Sequence, residues 1–318
     1  MASTPTPSNT SAPVAHSYPA DFFLASVPRA EPKKSRRFIH LLLLLATAAT
    51  ASVSGAWFWM ESFEGLSDLW RQPSLALAGW PYALALLAIL GAHEMGHYFA
   101  CRKYRIPATL PFFLPGLPPF GTFGAVIRIR APLPDRVALF DVAAAGPIAG
   151  FAVALPIMVI GLLQAVPMTS LPSAGEVQLG SPLVSSLLEA LLFPVGVTIR
   201  PGALYGAGWV GMLVTSMNLF PVGQLDGGHA AYAVSRRFHR VLARATIAGV
   251  FALVVWQAIV LNTIPAYALW LVVLFFMRDR HPRLTDETIP LGAGRKVIAM
   301  LLALLFLATF IPIPLMVL

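Results

Sequence analysis

The sequence predicts an all-α polytopic membrane protein of about seven transmembrane helices. Three observations carry that prediction. Hydrophobic residues make up 57% of the 318, charged residues only 11%, and the charges gather in short clusters between long apolar runs. A soluble domain carries roughly 25% charged residues to cover its surface, so an ordinary soluble enzyme is excluded. The net charge of +8 would suit nucleic acid, but basic clusters flanking apolar runs are what the positive-inside rule describes, and no nucleic-acid partner is expected. The single cysteine, Cys101, excludes a disulfide framework and a multi-cysteine metal site.

The elements follow in order. Residues 1–37 are rich in Ser, Thr, Pro and Ala without apolar periodicity and read as a disordered cytoplasmic tail. Lys33, Lys34, Arg36 and Arg37 then precede an apolar run from Phe38 to Met60, long enough to be retained as a span. Six further spans are expected near 77–101, 139–166, 204–228, 245–261, 265–277 and 297–317. The fifth and sixth are short for a core that needs about 20 residues, and Asn262-Thr263-Ile264-Pro265 would turn the chain between them. Residues 182–197 are apolar on one face but carry Glu189, and read as an interfacial helix. With the N-terminus inside, 20 of the 22 basic residues fall on cytoplasmic segments, leaving only Arg71 and Arg200 outside. That bias predicts seven crossings with the C-terminus out.

Ionisable residues inside spans are costly, so each one is a functional candidate. The second span holds His93-Glu94-Met95-Gly96-His97. Residues four apart share a helix face, so both imidazoles can meet one metal ion, with Glu94 beside it as a general base. A chance match is expected at about 0.003 per chain at this composition. The fourth span ends Asn218-Leu219-Phe220-Pro221-Val222-Gly223-Gln224-Leu225-Asp226-Gly227-Gly228-His229, and Asp226 is its only acidic residue. An unpaired buried carboxylate is hard to tolerate, and a cation held by the second span would resolve the cost. His93 precedes Arg102 by nine residues and Asp226 precedes Arg236 by ten. Both therefore sit roughly 13–15 Å from a basic cluster, at one depth. Pro221 and the nearby glycines would break the helix, which is tolerated only beside a cavity.

A His-Glu-Met-Gly-His in a span followed by Asn-x-x-Pro-x-x-x-Leu-Asp-Gly resembles the site-2 protease family of intramembrane zinc metalloproteases. Pro111–Pro115, Gly121–Ala125 and Ala144–Pro147 resemble its branch of bacterial members and plant plastid relatives, and the likeness covers roughly residues 77–230. The resemblance implies a transmembrane metalloprotease domain over 38–318 with a three-helix core near 77–230. It implies one Zn2+ per chain held by His93, His97 and Asp226, with Glu94 as general base and Asn218 holding the substrate or oxyanion. The implied substrate is a membrane-anchored protein cut in or near its transmembrane segment in the lipid bilayer. Segment 167–203 is too short for the PDZ domain that many members carry.

Around this core several readings stay open. Residues 106–138 hold seven prolines, five of them before the β-like run Gly124–Arg130, and form either a small re-entrant β-structure that pairs with substrate or an anchoring loop. Gly146 and Gly150 read as helix packing, His229 as interfacial, and His281, Asp286 and Glu287 as solvated or salt-bridged in a basic loop. Asp141 caps the third span or meets Arg136. The rival functions are a metal transporter and a non-catalytic membrane chaperone that keeps a metal site. A prenyl-type zinc protease would need a third-ligand Glu in a later span, and none occurs. The expected location is a bacterial inner membrane with the N-terminus cytoplasmic, or else an organelle membrane. Oligomeric state is left open.

Overall fold

The computed structural model describes residues 37–60, 66–168, 177–194, 197–200, 202–263, 265–278, 280–282 and 284–317. The expected N-terminal tail lies outside the described residues but for Arg37. Helix α1 (Arg37–Ser54) continues through one π turn, Gly55–Trp59, as a single apolar rod of 23 residues. After α2 (Leu66–Arg71) a 3-10 turn, Pro73–Gly79, feeds α3 (Trp80–Lys103), an apolar run of 31 residues in all. Strands β1 (Phe112–Pro115) and β2 (Thr122–Val126) form an antiparallel hairpin with Phe112 opposite Val126 and Phe113 opposite Ala125. Helix α4 (Arg136–Leu163) starts where the Asp135 side chain accepts the Ala138 N–H at 2.8 Å, an N-cap carboxylate satisfying an otherwise orphan donor.

The second half is built from shorter pieces. Strands β3 (Val166–Met168) and β4 (Val177–Leu179) precede α5 (Leu183–Leu192), the helix expected between 182 and 197. Strand β5 (Thr198–Arg200) pairs with β3, and then α6 (Ala203–Leu219) and α7 (Asp226–Val234) follow. Helices α8 (Arg236–Ile259), α9 (Ala268–Met277) and α10 (Ala293–Thr309) lead to β6 (Leu315–Val317), which pairs with β4.

Among the described residues, four helices are long and apolar enough to cross a membrane: Arg37–Trp59, Pro73–Lys103, Arg136–Leu163 and Arg236–Ile259. They coincide with the first, second, third and fifth spans read from the sequence. The fourth expected span is not one helix. It stops at Leu219 and restarts at Asp226, because Pro221 offers no N–H and Gly223 sits at φ +56°. The sixth is the ten-residue α9, about 15 Å long, and the seventh ends at Thr309 rather than running on.

Helices α3, α4 and α6 pack as the centre of the bundle around Leu86, Ile89, Met158, Leu162, Trp209 and Met212. Burying each such side chain contributes about 1.5–3 kcal/mol in a water reference; inside a bilayer the gain is packing instead. Close approach depends on small residues. A Cβ on Gly96 would lie 2.4 Å from the Ala145 carbonyl oxygen on α4, so any larger residue would drive α3 and α4 apart. The hairpin lies along α1: Thr50 Oγ1 donates to the Gly121 carbonyl at 2.7 Å, and His40 stacks on Phe112 at 4.0 Å.

Candidate metal centre

Helix α3 presents His93 and His97 one turn apart toward α6 and α7, as the four-residue spacing requires. Asp226 is the first residue of α7, so the helix break is what aims its carboxylate back into the bundle. The outcome is a compact triangle. His93 Nε2 and His97 Nε2 are 3.1 Å apart, and Asp226 Oδ2 is 3.2 Å from the first and 3.3 Å from the second. Both histidines are buried.

These three edges can be tested against a metal. A tetrahedral zinc with ligands at about 2.0–2.1 Å spaces its ligand atoms about 3.3 Å apart, within about 0.2 Å of every edge observed. The protonation pattern agrees. His97 Nδ1 lies 2.7 Å from the Val142 carbonyl oxygen, which can only accept, so Nδ1 carries a proton and in the neutral ring Nε2 faces the centre with its lone pair. A bare nitrogen and a carboxylate converging in a buried site are poor neighbours without a cation between them. The residues present fit a divalent metal.

Glu94 turns to the same space, its carboxylate within 4.8 Å of the two imidazole nitrogens. Its Oε2 accepts the backbone N–H of Ile127, the residue just after β2, at 2.7 Å. Asn218, in the last turn of α6, brings Nδ2 to 3.4 Å from His93 Nε2. All five residues singled out in the sequence are thus brought together from three helices.

Several partners were not visible in the sequence. Gly146 reads there as helix packing, yet a Cβ on it would lie 2.1 Å from His97 Nε2, and one on Gly150 would lie 3.1 Å from His93 Cβ. These glycines make the hollow in which the imidazoles sit. The only prior signal is their four-residue spacing on the neighbouring span. Asp141 neither caps α4 nor meets Arg136: Asp135 is the cap, and Asp141 binds Arg295 at 2.7 Å, Lys103 at 3.2 Å and the Tyr104 hydroxyl. His229, read as interfacial, is half-buried, and its Nδ1 lies 2.7 Å from His281 Nε2. Cys101 is fully buried beside Tyr104, Ile106 and Ala138, as a small apolar residue would be.

Comparison with known proteins places these residues in context. Residues 81–262 match the family described as Peptidase family M50. The sequence is 36% identical over 159 residues to the probable zinc metalloprotease EGY1, chloroplastic, of Oryza sativa subsp. japonica, covering 47% of this chain and 27% of that one. It is 32% identical over 250 residues to the probable zinc metalloprotease EGY2, chloroplastic, of Arabidopsis thaliana, covering 74% of this chain and 42% of that one. The chain therefore spans well under half the length of these relatives. Among solved structures, the site-2 protease from Methanocaldococcus jannaschii aligns with 79% of this chain and 92% of its own, at 14% identity and a TM-score of 0.37.

Proposed function

The chain belongs to peptidase family M50, and from that premise we propose that it is an intramembrane zinc metalloprotease that hydrolyses a peptide bond in or near a transmembrane segment of a membrane-anchored protein. The observation that carries this reading is the 3.1–3.3 Å triangle of His93, His97 and Asp226 with the Glu94 carboxylate beside it. In this proposal those three residues hold one Zn2+ per chain. Bound zinc supplies Lewis-acid chemistry, lowering the pKa of a water toward about 7 and polarising a carbonyl.

Each remaining task falls to a residue of the chain. Glu94 has one carboxylate oxygen tied to the Ile127 N–H, which fixes its rotamer and leaves Oε1 to take a proton from the attacking water. The same oxygen then returns that proton to the leaving amine, a base turned acid. The Asn218 amide, next to His93, donates to the oxygen of the scissile carbonyl as negative charge develops there. Val142 holds the His97 ring through its carbonyl, and Gly146 and Gly150 keep both rings in place.

A substrate helix has to unwind before its backbone can reach these groups. Among the described strands β2 pairs only with β1, so its other edge can take a substrate segment in extended form by main-chain pairing. That edge runs directly to Glu94 through Ile127, which supports the re-entrant β reading of residues 106–138. Seven crossings with the N-terminus inside remain our topology, α6–α7 and α10 serving as broken or short spans lining a cavity. The chloroplastic relatives favour an organelle membrane over a bacterial inner membrane.

The test is Glu94→Gln in purified protein reconstituted with a mixture of labelled transmembrane peptides. Wild type should release fragments and lose that activity to a chelator. The variant should keep its zinc and its fold while cleavage falls by about 10²–10⁴. Retained cleavage would falsify the role of Glu94, whereas a transporter or a chaperone would be indifferent to the change.

A further inference from the structure

Two histidines outside the metal centre are joined in an unusual way. His281 Nδ1 lies 2.6 Å from the Pro282 carbonyl oxygen. A carbonyl only accepts, so in the neutral ring Nδ1 carries the proton and Nε2 is an acceptor. The 2.7 Å contact to His229 Nδ1 then requires His229 to be the donor. The hydrogen bonds run one way, from His229 to His281 to Pro282. The His281 ring also stacks on Tyr232, with centroids 3.8 Å apart and planes 13° apart, and His239 lies with its centroid 6.0 Å away.

His229 follows Asp226 by three residues on α7. Three residues turn a helix by about 300° and advance it about 4.5 Å, so the two side chains lie within about 60° of one another. Fixing His229 therefore fixes the direction in which Asp226 points. The segment that carries His281 grips the same region twice more. The Arg278 carbonyl accepts the Gly223 N–H at 2.7 Å, within the break that precedes Asp226. Glu287 binds the Tyr232 hydroxyl at 2.9 Å and also pairs with Arg236. The far end of the segment is tied to α4, where the Asp286 N–H donates to the Pro134 carbonyl at 2.8 Å, next to the Asp135 cap. Helix α4 is also the one whose Val142 carbonyl orients His97.

We infer that Arg278, His281, Asp286 and Glu287 act together as a strap, and that His281 and His229 are positioning residues which set the azimuth of α7 so that Asp226 meets His93 and His97. This rests on the zinc reading above and names what keeps the site assembled. Helix α7 is a nine-residue helix following a six-residue break; Ala230 and Ala233 seat it in one apolar cluster with Leu139, Phe140, Ala143 and Ala144 of α4, and the strap adds polar contacts that fix its rotation on that seat.

The experiment compares wild type, His281→Ala and His281→Gln in detergent, full chain, loaded with zinc. Two quantities are read: the rate of zinc release to a chromophoric chelator, and the Tm of the metal-free protein. Gln can offer Oε1 to the His229 Nδ1–H where Ala offers nothing. Zinc release about tenfold faster in His281→Ala, largely restored in His281→Gln, with metal-free Tm values alike at about pH 7.5, where His281 is neutral folded and unfolded, is the expected result. Release unchanged in His281→Ala would overturn the strap while leaving the zinc reading intact. So would a metal-free Tm that falls in step with zinc retention, which would make His281 a general stabiliser. Wild type that takes up no zinc would overturn both.

Discussion

Gly146→Ala is a one-carbon change whose consequence can be worked from the site geometry. The added Cβ would lie 2.1 Å from His97 Nε2, 2.4 Å from Cε1 and 2.6 Å from Cδ2, where ordinary contact begins at 3.4 Å. The shortfall, 3.4 minus 2.1, is roughly 1.3 Å. Separating the two helices by that much would open the close packing of Gly96 on Ala145 and of Gly150 on His93 along the same contact. The ring of His97 has to move instead. A metal site tolerates displacements of about 0.2 Å, and the move also strains the 2.7 Å bond from Nδ1 to Val142. Loss of such an orienting bond costs about 10–100-fold in metal affinity, or about 1.4–2.8 kcal/mol. Zinc affinity of purified Gly146→Ala, measured by competition with a chelator, should fall by that factor while far-UV circular dichroism stays unchanged. Gly150→Ala is the internal control: its Cβ meets His93 at 3.1–3.2 Å, a gap closed by a few tenths of an ångström, so its loss should be several times smaller. Wild-type zinc affinity in Gly146→Ala would refute the reasoning.

Other expectations follow from the same geometry. Asn218→Ala should lower kcat by about 10²–10³ with zinc content unchanged, read as turnover of a reconstituted peptide; an equal loss of zinc would recast Asn218 as a support for His93. His281 titrates below the ordinary histidine range, because burial and the neighbouring His239 oppose its charge more than the Pro282 carbonyl and Glu287 favour it. His229 bonds to it and Tyr232 stacks on it. A lowered value means that the unfolded chain takes up the proton first, so this stabilisation is whole above about pH 6.5 and is lost as pH falls below it. The Tm of metal-free wild type should therefore drop relative to His281→Gln between about pH 7.5 and 5.5; a constant difference over that range would count against a neutral His281.

The parts legible in the sequence are those in which a charged group stands where charge is costly. His93, Glu94 and His97 in an apolar helix, and Asp226 beside a proline and three glycines, announce themselves by that contrast. The residues that orient them do not. The Val142 carbonyl and the Ile127 N–H are backbone groups and carry no side-chain signature, and Gly146 is indistinguishable from the small residues found wherever membrane helices pack. His281 lies 52 residues from His229, and its partner could only be found by folding the chain. Span boundaries slipped for a related reason. An apolar run such as Pro265–Met277 shows that a segment avoids water, not that all of it is helical, and α8 extends back to Arg236 because a basic first turn can lie on a helix that is apolar further on. Asp141 does not cap α4 because two carboxylates six residues apart compete for one cap, and the extended Asp135 takes it.

The central claim is that His93 and His97 on α3 and Asp226 on α7 form one metal centre. Metal content by elemental mass spectrometry, on detergent-purified wild type beside Asp226→Ala, tests it most directly. The account expects about one zinc per chain in wild type and a loss of most of it in the variant, with the helical content of the two alike. Wild type without zinc, or a variant that holds zinc as tightly as wild type, would contradict it.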